Sequence, residues 1–238
     1  MKSSPHLDAL FKYRHFDRQI IILCVRWYVS YKLSYRDLVE MMADRGVELT
    51  HTTVLHWVQR FMPESEKRWM RFARPVGKSW RVDETYILVR GQWRYLYRAV
   101  DKHGRTVDFR LSEHRNIAAA KDFFRKALLS SGAPMKVTLD GHYPSHRALF
   151  GLRREARIWR RVKVRTCQYL NNIVEQDHRA IKARTGPMLG FKTFVNAVRT
   201  IAGIELVHRI RKGQFMLVRR RGPTPRLSMR MSWNLALA

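Results

Sequence analysis

The hydrophobic period of this chain changes once, at Pro75, and the change divides it into two kinds of structure. Before Pro75 the apolar residues recur three and four apart. After it they alternate, or run together in short aromatic and β-branched segments bounded by Gly and charged turns. A helical unit followed by a sheet with its own covering helices accommodates both periods, whereas an all-helical or all-β chain accommodates only one. With 238 residues, 45% of them hydrophobic, the chain can bury one large core or two smaller ones.

In the first part, Ile20, Leu23, Cys24, Trp27 and Tyr31 form one helical stripe beginning at Asp17. Ser34 is placed to cap a second helix, with Leu38, Met41 and Met42 on its apolar side and Gly46 as its stop. Thr50 is placed to cap a third, whose buried face is Val54, Trp57, Val58 and Phe61. That leaves Thr52, Thr53, His56, Gln59 and Arg60 on exposed sides, the short polar and basic side chains that a helix entering the major groove of DNA needs. The pattern reads as a helix-turn-helix; the alternative is a three-helix packing unit with an ordinary solvated face. Pro63 and Pro75 bracket a charged segment that reads as a linker. The expected division is therefore a helix-turn-helix domain over 1–62, a linker over 63–78, a second domain over 79–215 and a basic tail over 216–238.

The second part begins with three strand-like runs, Trp80 to Val89, Gln92 to Val100 and Thr106 to Leu111, separated by turn residues at 90–91 and 101–104. A helical stretch from about Asn116 follows, with Ala120, Phe123, Phe124, Ala127 and Leu128 on its apolar side, and then a short strand, Lys136 to Leu139. Asp140 follows that strand directly. Beside Gly141 it could simply begin a turn. Yet a right-handed crossover lets the fourth strand return parallel to the first, which brings Asp140 beside Asp83. Two carboxylates on adjacent strands repel unless a metal ion lies between them. A third acid, Glu175, is separated from Asp140 by 34 residues and shares a helix face with Arg179 and Lys182 at i, i+4, i+7 spacing. One acid with two bases suits a phosphodiester; a surface ion-pair stripe is the alternative.

Charge narrows the function classes. The chain carries 47 Lys and Arg against 19 Asp and Glu, a formal +28. Such an excess repels itself unless a polyanion is near, and nucleic acid is the expected one, with an anionic membrane surface as the rival. No run approaches the roughly 18 apolar residues of a spanning helix, and the N-terminus lacks the apolar core of a secretory signal. A cytoplasmic protein with no membrane partner is expected. Cys24 and Cys167 stand alone, outside any CxxC or Cys/His pair, and read as packing residues.

The segments WRVDETYILVRGQWRYLYRAVDKHGRTVDF, VTLDG and NNIVEQDHRAIKARTGPMLGFKTF resemble the catalytic core of bacterial insertion-sequence DDE transposases, most closely the insertion-sequence-six family, whose elements form cointegrates. The resemblance extends from about Phe11 to Gln214. It implies an α/β, RNase H-like fold, a mixed five-stranded sheet flanked by helices. It further implies a catalytic triad of Asp83, Asp140 and Glu175 supported by Lys182. The N-terminal helix-turn-helix would read the element's terminal inverted repeats. Many members carry a Lys after the second Asp, where this chain has Gly141 and His142.

The chemistry so implied is nicking of double-stranded DNA at the element ends, giving 3′ hydroxyls, followed by their attack on target DNA. Carboxylate oxygens select Mg2+ or Mn2+, and two ions roughly 4 Å apart suit an in-line displacement. Bringing two ends together implies a homodimer or a higher oligomer with DNA, for which the long stretch Thr193 to Lys212 is the best candidate helix. Glu84 points to the face opposite Asp83. Asp177 is expected to pair with a nearby Arg. His142 and His146 have zinc-pair spacing without a supporting motif, and Trp27, Trp57, Trp80 and Trp93 are expected in the core. A helix-turn-helix regulator would need no acid triad, and an RNase H-like nuclease would need no end-reading domain or joining activity.

Overall fold

A computed structural model of the chain describes residues 11, 15–141, 143–167, 172–188, 190–217 and 228–237. The described residues of 1–74 and 195–238 form one compact unit, and those of 75–194 form another.

The first unit opens with three helices where the sequence places them. α1 (Arg18–Ser30) is capped by Asp17, whose side chain accepts from the Gln19 N–H. α2 (Tyr35–Ala43) starts on a reciprocal capping box: the Asp37 N–H donates to Ser34 Oγ at 3.1 Å and the Ser34 N–H to Asp37 Oδ2 at 2.8 Å. Those hydrogen bonds hold the Asp37 carboxyl below its ordinary range. α3 (His51–Met70) is capped by Thr50 and does not stop at Pro63. The missing Pro N–H costs about 3 kcal/mol in an isolated helix, but the buried face continues past it with Ser65 and Trp69. Residues 63–70 of the expected linker are therefore helix.

The C-terminal part of the chain completes this unit. α8 (Phe194–Arg211) buries residues on most of its circumference, including Ala197, Ile201, Ile204 and Val207, and α9 (Met229–Leu237) brings Trp233 within 6.0 Å of Trp69. Phe215 stacks edge-on to Trp69 at 4.8 Å, and Arg74 N–H donates to the Gln214 carbonyl at 2.8 Å. By packing, α8 belongs with this unit, although the expected second domain runs to 215, and the candidate dimer helix is buried within one chain. Gly203 marks the tightest crossing: a Cβ there would lie 2.8 Å from Val29 and from Met62.

The second unit is α/β. β1 (Ser79–Val89), β2 (Gln92–Asp101) and β3 (Thr106–Ser112) form an antiparallel meander. Arg90 and Gly91, with φ of 52° and 72°, make the two-residue turn that matches strand twist. α4 (Ile117–Ser131) crosses over to β4 (Lys136–Leu139), which pairs parallel to β1 as the sequence predicts. α5 (Tyr143–Glu155) and α6 (Arg157–Arg160) lead to β5 (Lys163–Thr166), parallel to β4 and not resolved as a strand by its sequence. The sheet order is β3-β2-β1-β4-β5, mixed and five-stranded. On one face Trp80, Val82 and Tyr97 pack against Phe123 and Phe124 of α4 and Leu149 of α5. α7 (Asn172–Thr185) packs against β1 and β2, and Arg98 of β2 pairs with Asp177 of α7.

Candidate active site

The last rung of the β1–β4 ladder pairs Val82 with Leu139, so the next residue of each strand is an acid: Asp83 on β1 and Asp140 just beyond β4. Parallel strands end their ladder at the same rim, which is why two residues 57 positions apart meet there. Asp83 is largely enclosed, its side chain 16% exposed. Its Oδ1 accepts from the Glu84 N–H at 2.8 Å and its Oδ2 lies 3.6 Å from His178 Nδ1. Burial pushes the Asp83 carboxyl up to about 7; the charges of Asp140, Glu84 and Glu175 push the same way, against the hydrogen bond from Glu84.

The residues around Asp83 do not supply the missing positive charge. Burial, together with the charges of Arg98 and Lys182, holds His178 down to about 3, so its imidazole is neutral at physiological pH. Arg98, fully buried, places its Nη2 3.0 Å from Asp177 Oδ2. That ion pair is the role the sequence predicts for Asp177. Sequence reading passed over His178, although its place three residues after Glu175 on one helix face was a usable signal.

Glu84 points away, as strand alternation requires. It accepts from Arg115 Nη2 at 3.2 Å and from Ser145 Oγ at 2.6 Å, and its side chain is 3% exposed. Glu175 lies in the first turn of α7, exposed, with its charge felt at Asp83. Arg179 and Lys182 are exposed on the same helix. Among the described residues no three His, Cys, Asp or Glu side chains are close enough to grip an ion together. His146 Nε2 contacts the Asp140 carbonyl at 2.8 Å, which gives it a role in the turn; His142, the other half of the candidate zinc pair, lies outside the described residues.

The expected DNA-reading residues divide. Thr52, His56 and Arg60 are exposed along α3 and Thr53 is half-buried. Gln59 is a correction: it is buried, and its Nε2 donates to Thr200 Oγ1 of α8 at 3.3 Å. The face it occupies is covered by a helix 141 residues away in sequence, which no local pattern shows. Trp93 is a second correction. Trp57 and Trp80 are core, but Trp93 is 61% exposed.

A cleft of about 1070 Å3 opens at the other end of the parallel strands. Its lining includes Lys78, Lys102, Lys136, Arg157, Arg161 and Lys163. None of these six forms an ion pair among the described residues. No helix among the described residues is long and apolar enough to cross a membrane.

Comparison with known proteins places these features in context. The family described as the DDE domain matches residues 77–214. The chain is 36% identical over 207 residues to the transposase for insertion sequence-like element IS431mec of Staphylococcus aureus strain N315, a match covering 85% of this chain and 88% of that protein. Identity and coverage are the same for the transposase of insertion sequence element IS257 in transposon Tn4003, also of Staphylococcus aureus. Similar solved structures include the catalytic core domain of BIV integrase, at 16% identity and TM-score 0.40 over 54% of this chain and 82% of that one. The HTLV-2 integrase catalytic core in complex with magnesium, in its dimeric form, gives 16% identity and TM-score 0.37 over 45% and 70%.

Proposed function

This chain belongs to the insertion-sequence-six family of DDE transposases, and on that premise we propose that Asp83, Asp140 and Glu175 are the acids with which it cuts element ends and joins them to target DNA. The observation that carries the assignment is the meeting of Asp83 and Asp140 at the rim shared by β1 and β4, with the charge of Glu175 reaching the same point. A buried carboxylate surrounded by other acids, beside a neutral His, is a site that gains a cation rather than one that lacks a use for it.

Magnesium or manganese suits such oxygen donors, and Asp83, Asp140 and Glu175 would hold it once drawn closer together than they stand here. When bound, such an ion supplies Lewis-acid activation of the attacking oxygen and stabilises the leaving one. The chain's own residues do the remaining work. Asp83 is oriented by the Glu84 N–H, and His178 and the Arg98–Asp177 pair wall off its inner side from water. Lys182, two turns beyond Glu175, offers an ammonium to a phosphate held at this rim, and Arg179 offers a second cation on the same face. The unit has the RNase H-like arrangement in this reading.

α2 and α3 act as the helix-turn-helix, with Thr52, Thr53, His56 and Arg60 turned to double-stranded DNA at the terminal inverted repeats. The basic cleft at the far end of the sheet supports a duplex partner, since its six cations form no ion pair among the described residues. Synapsis of two ends requires at least a homodimer. The test is an incubation of the protein with labelled end DNA, target plasmid and magnesium. A transposase produces joined strands, a nuclease stops at nicks, and a regulator only binds. Asp83→Asn and Asp140→Asn should abolish joining with end binding retained; joining at the wild-type rate by either would remove the assignment.

A further inference from the structure

Trp93 and Tyr86 are exposed by 61% and 42%, although aromatic side chains of this size are ordinarily worth burying. Both line a cavity of about 690 Å3, shared with Lys182, Gly190 and Phe191. Its position follows from the sheet. β4 stops at Leu139 opposite Val82, so beyond Val82 the edge of β1 has no β4 partner, and the next bridge on it is Phe191 at Val89. Tyr86 and Trp93 lie on the sheet face of Glu84, opposite that of Asp83, and the cavity reaches round this edge of β1 to Lys182 on α7. The strand from Asp83 to Leu88 spans about 17 Å at the usual rise per residue.

Contacts within the chain organise the cavity. Tyr86 contacts Trp93 edge-on at 6.4 Å between ring centres and Tyr95 at 5.5 Å. Arg115 Nη1 donates to the Tyr86 hydroxyl at 3.0 Å, which fixes that ring. Gly190, at φ +91°, brings backbone against Leu88, where a Cβ would lie 3.2 Å from Leu88 Cδ2; the wall can be that close only because no side chain intervenes. Lys182 supplies a cation in the same lining. A nucleotide presents a π face and an anion together, and this cavity presents the complement of each.

We propose that the cavity receives one unstacked base of the strand being processed, stacked on Trp93 with Tyr86 beside it, while Lys182 holds the adjoining phosphate. The inference rests on the assignment of the Asp83 rim and Lys182 to the reacting phosphate. Holding a base outside the duplex would fix the strand end relative to Asp83 and Asp140, a positioning role rather than a chemical one.

The test is single-turnover joining by prebound full-length protein, on end duplexes carrying one abasic residue in turn at each position flanking the scissile phosphate. On intact DNA Trp93→Ala should slow joining by roughly five- to 150-fold, the range for loss of one base–aromatic stack, while Trp93→Phe stays near wild type. At one abasic position wild type should fall to the rate of Trp93→Ala, with no further loss when the two changes are combined. Wild-type joining by Trp93→Ala, or a defect that multiplies unchanged at every abasic position, overturns the proposal. Should Trp93→Ala melt early, Trp93→Leu, which keeps apolar bulk without a π face, is judged by the same criteria. Asp83→Asn run alongside separates the two levels: joining by that variant defeats the acid assignment itself, whatever Trp93 does.

Discussion

Asp83→Asn should make the metal-free catalytic unit more stable while it abolishes joining. In the fold the Asp83 carboxyl is raised from 3.8 to about 7, chiefly by burial, with Asp140, Glu84 and Glu175 adding repulsion. About three units correspond to roughly 4 kcal/mol of destabilisation once the group is forced to ionise, and partial access of water lowers the expected effect to about 2–4 kcal/mol. The sign follows from linkage. A carboxyl raised above its unfolded value costs nothing below about pH 4, and its penalty grows as pH rises from there to the folded value near 7 and then levels off. Asn carries no charge and keeps an Oδ1 to accept from the Glu84 N–H, so it escapes the penalty without losing that bond. Urea unfolding of both proteins in a chelating buffer should show the variant ahead at pH 8, with the gap shrinking by more than half at pH 5. Magnesium should then stabilise wild type and leave the variant unchanged, because an ion that binds the folded site offsets the carboxylate repulsion. Equal or lower stability of the variant at pH 8, or a gap indifferent to pH, would refute the reasoning that burial and neighbouring acids make Asp83 wait for a cation.

Other changes separate structure from contact. Lys182→Ala should reduce joining by prebound complexes about tenfold or more, on the scale of one charge-assisted phosphate hydrogen bond, with little effect on binding; equal losses in binding and joining would count against it. Gln59→Ala should cost about 1–3 kcal/mol of stability, measured by thermal or urea unfolding, because it strands Thr200 in a buried interface. His56→Ala should leave stability alone and lower the preference for end DNA over random duplex in competition gel shifts. Replacing Lys136 and Lys163 in the basic cleft by Gln should weaken DNA binding and flatten its salt slope by about one per charge removed, checked by titration at several salt concentrations.

Much of this protein was legible from local pattern. Ser34 and Thr50 cap the helices they were expected to cap, because a cap is a contact between residues three apart and needs nothing from the rest of the fold. Asp83 and Asp140 meet because strand length and crossover hand leave few other ways to return a chain to its first strand. Periodicity, however, tells which face of an element is apolar and not what covers it. α3 continues past Pro63 because distant aromatic residues, Phe215 and Trp233, bury Trp69 and offset the broken helical bond. Gln59 looked exposed on a helical wheel and is buried because Thr200 arrives from another part of the chain. Trp93 looked like core and is open because it sits at the hairpin end of β1 and β2, beyond the part of that sheet face that Phe123, Phe124 and Leu149 cover. Local composition determined the elements and the acids, while the pairing of segments far apart in sequence decided which side chains water and DNA can reach, since burial belongs to two surfaces and a sequence pattern describes only one of them.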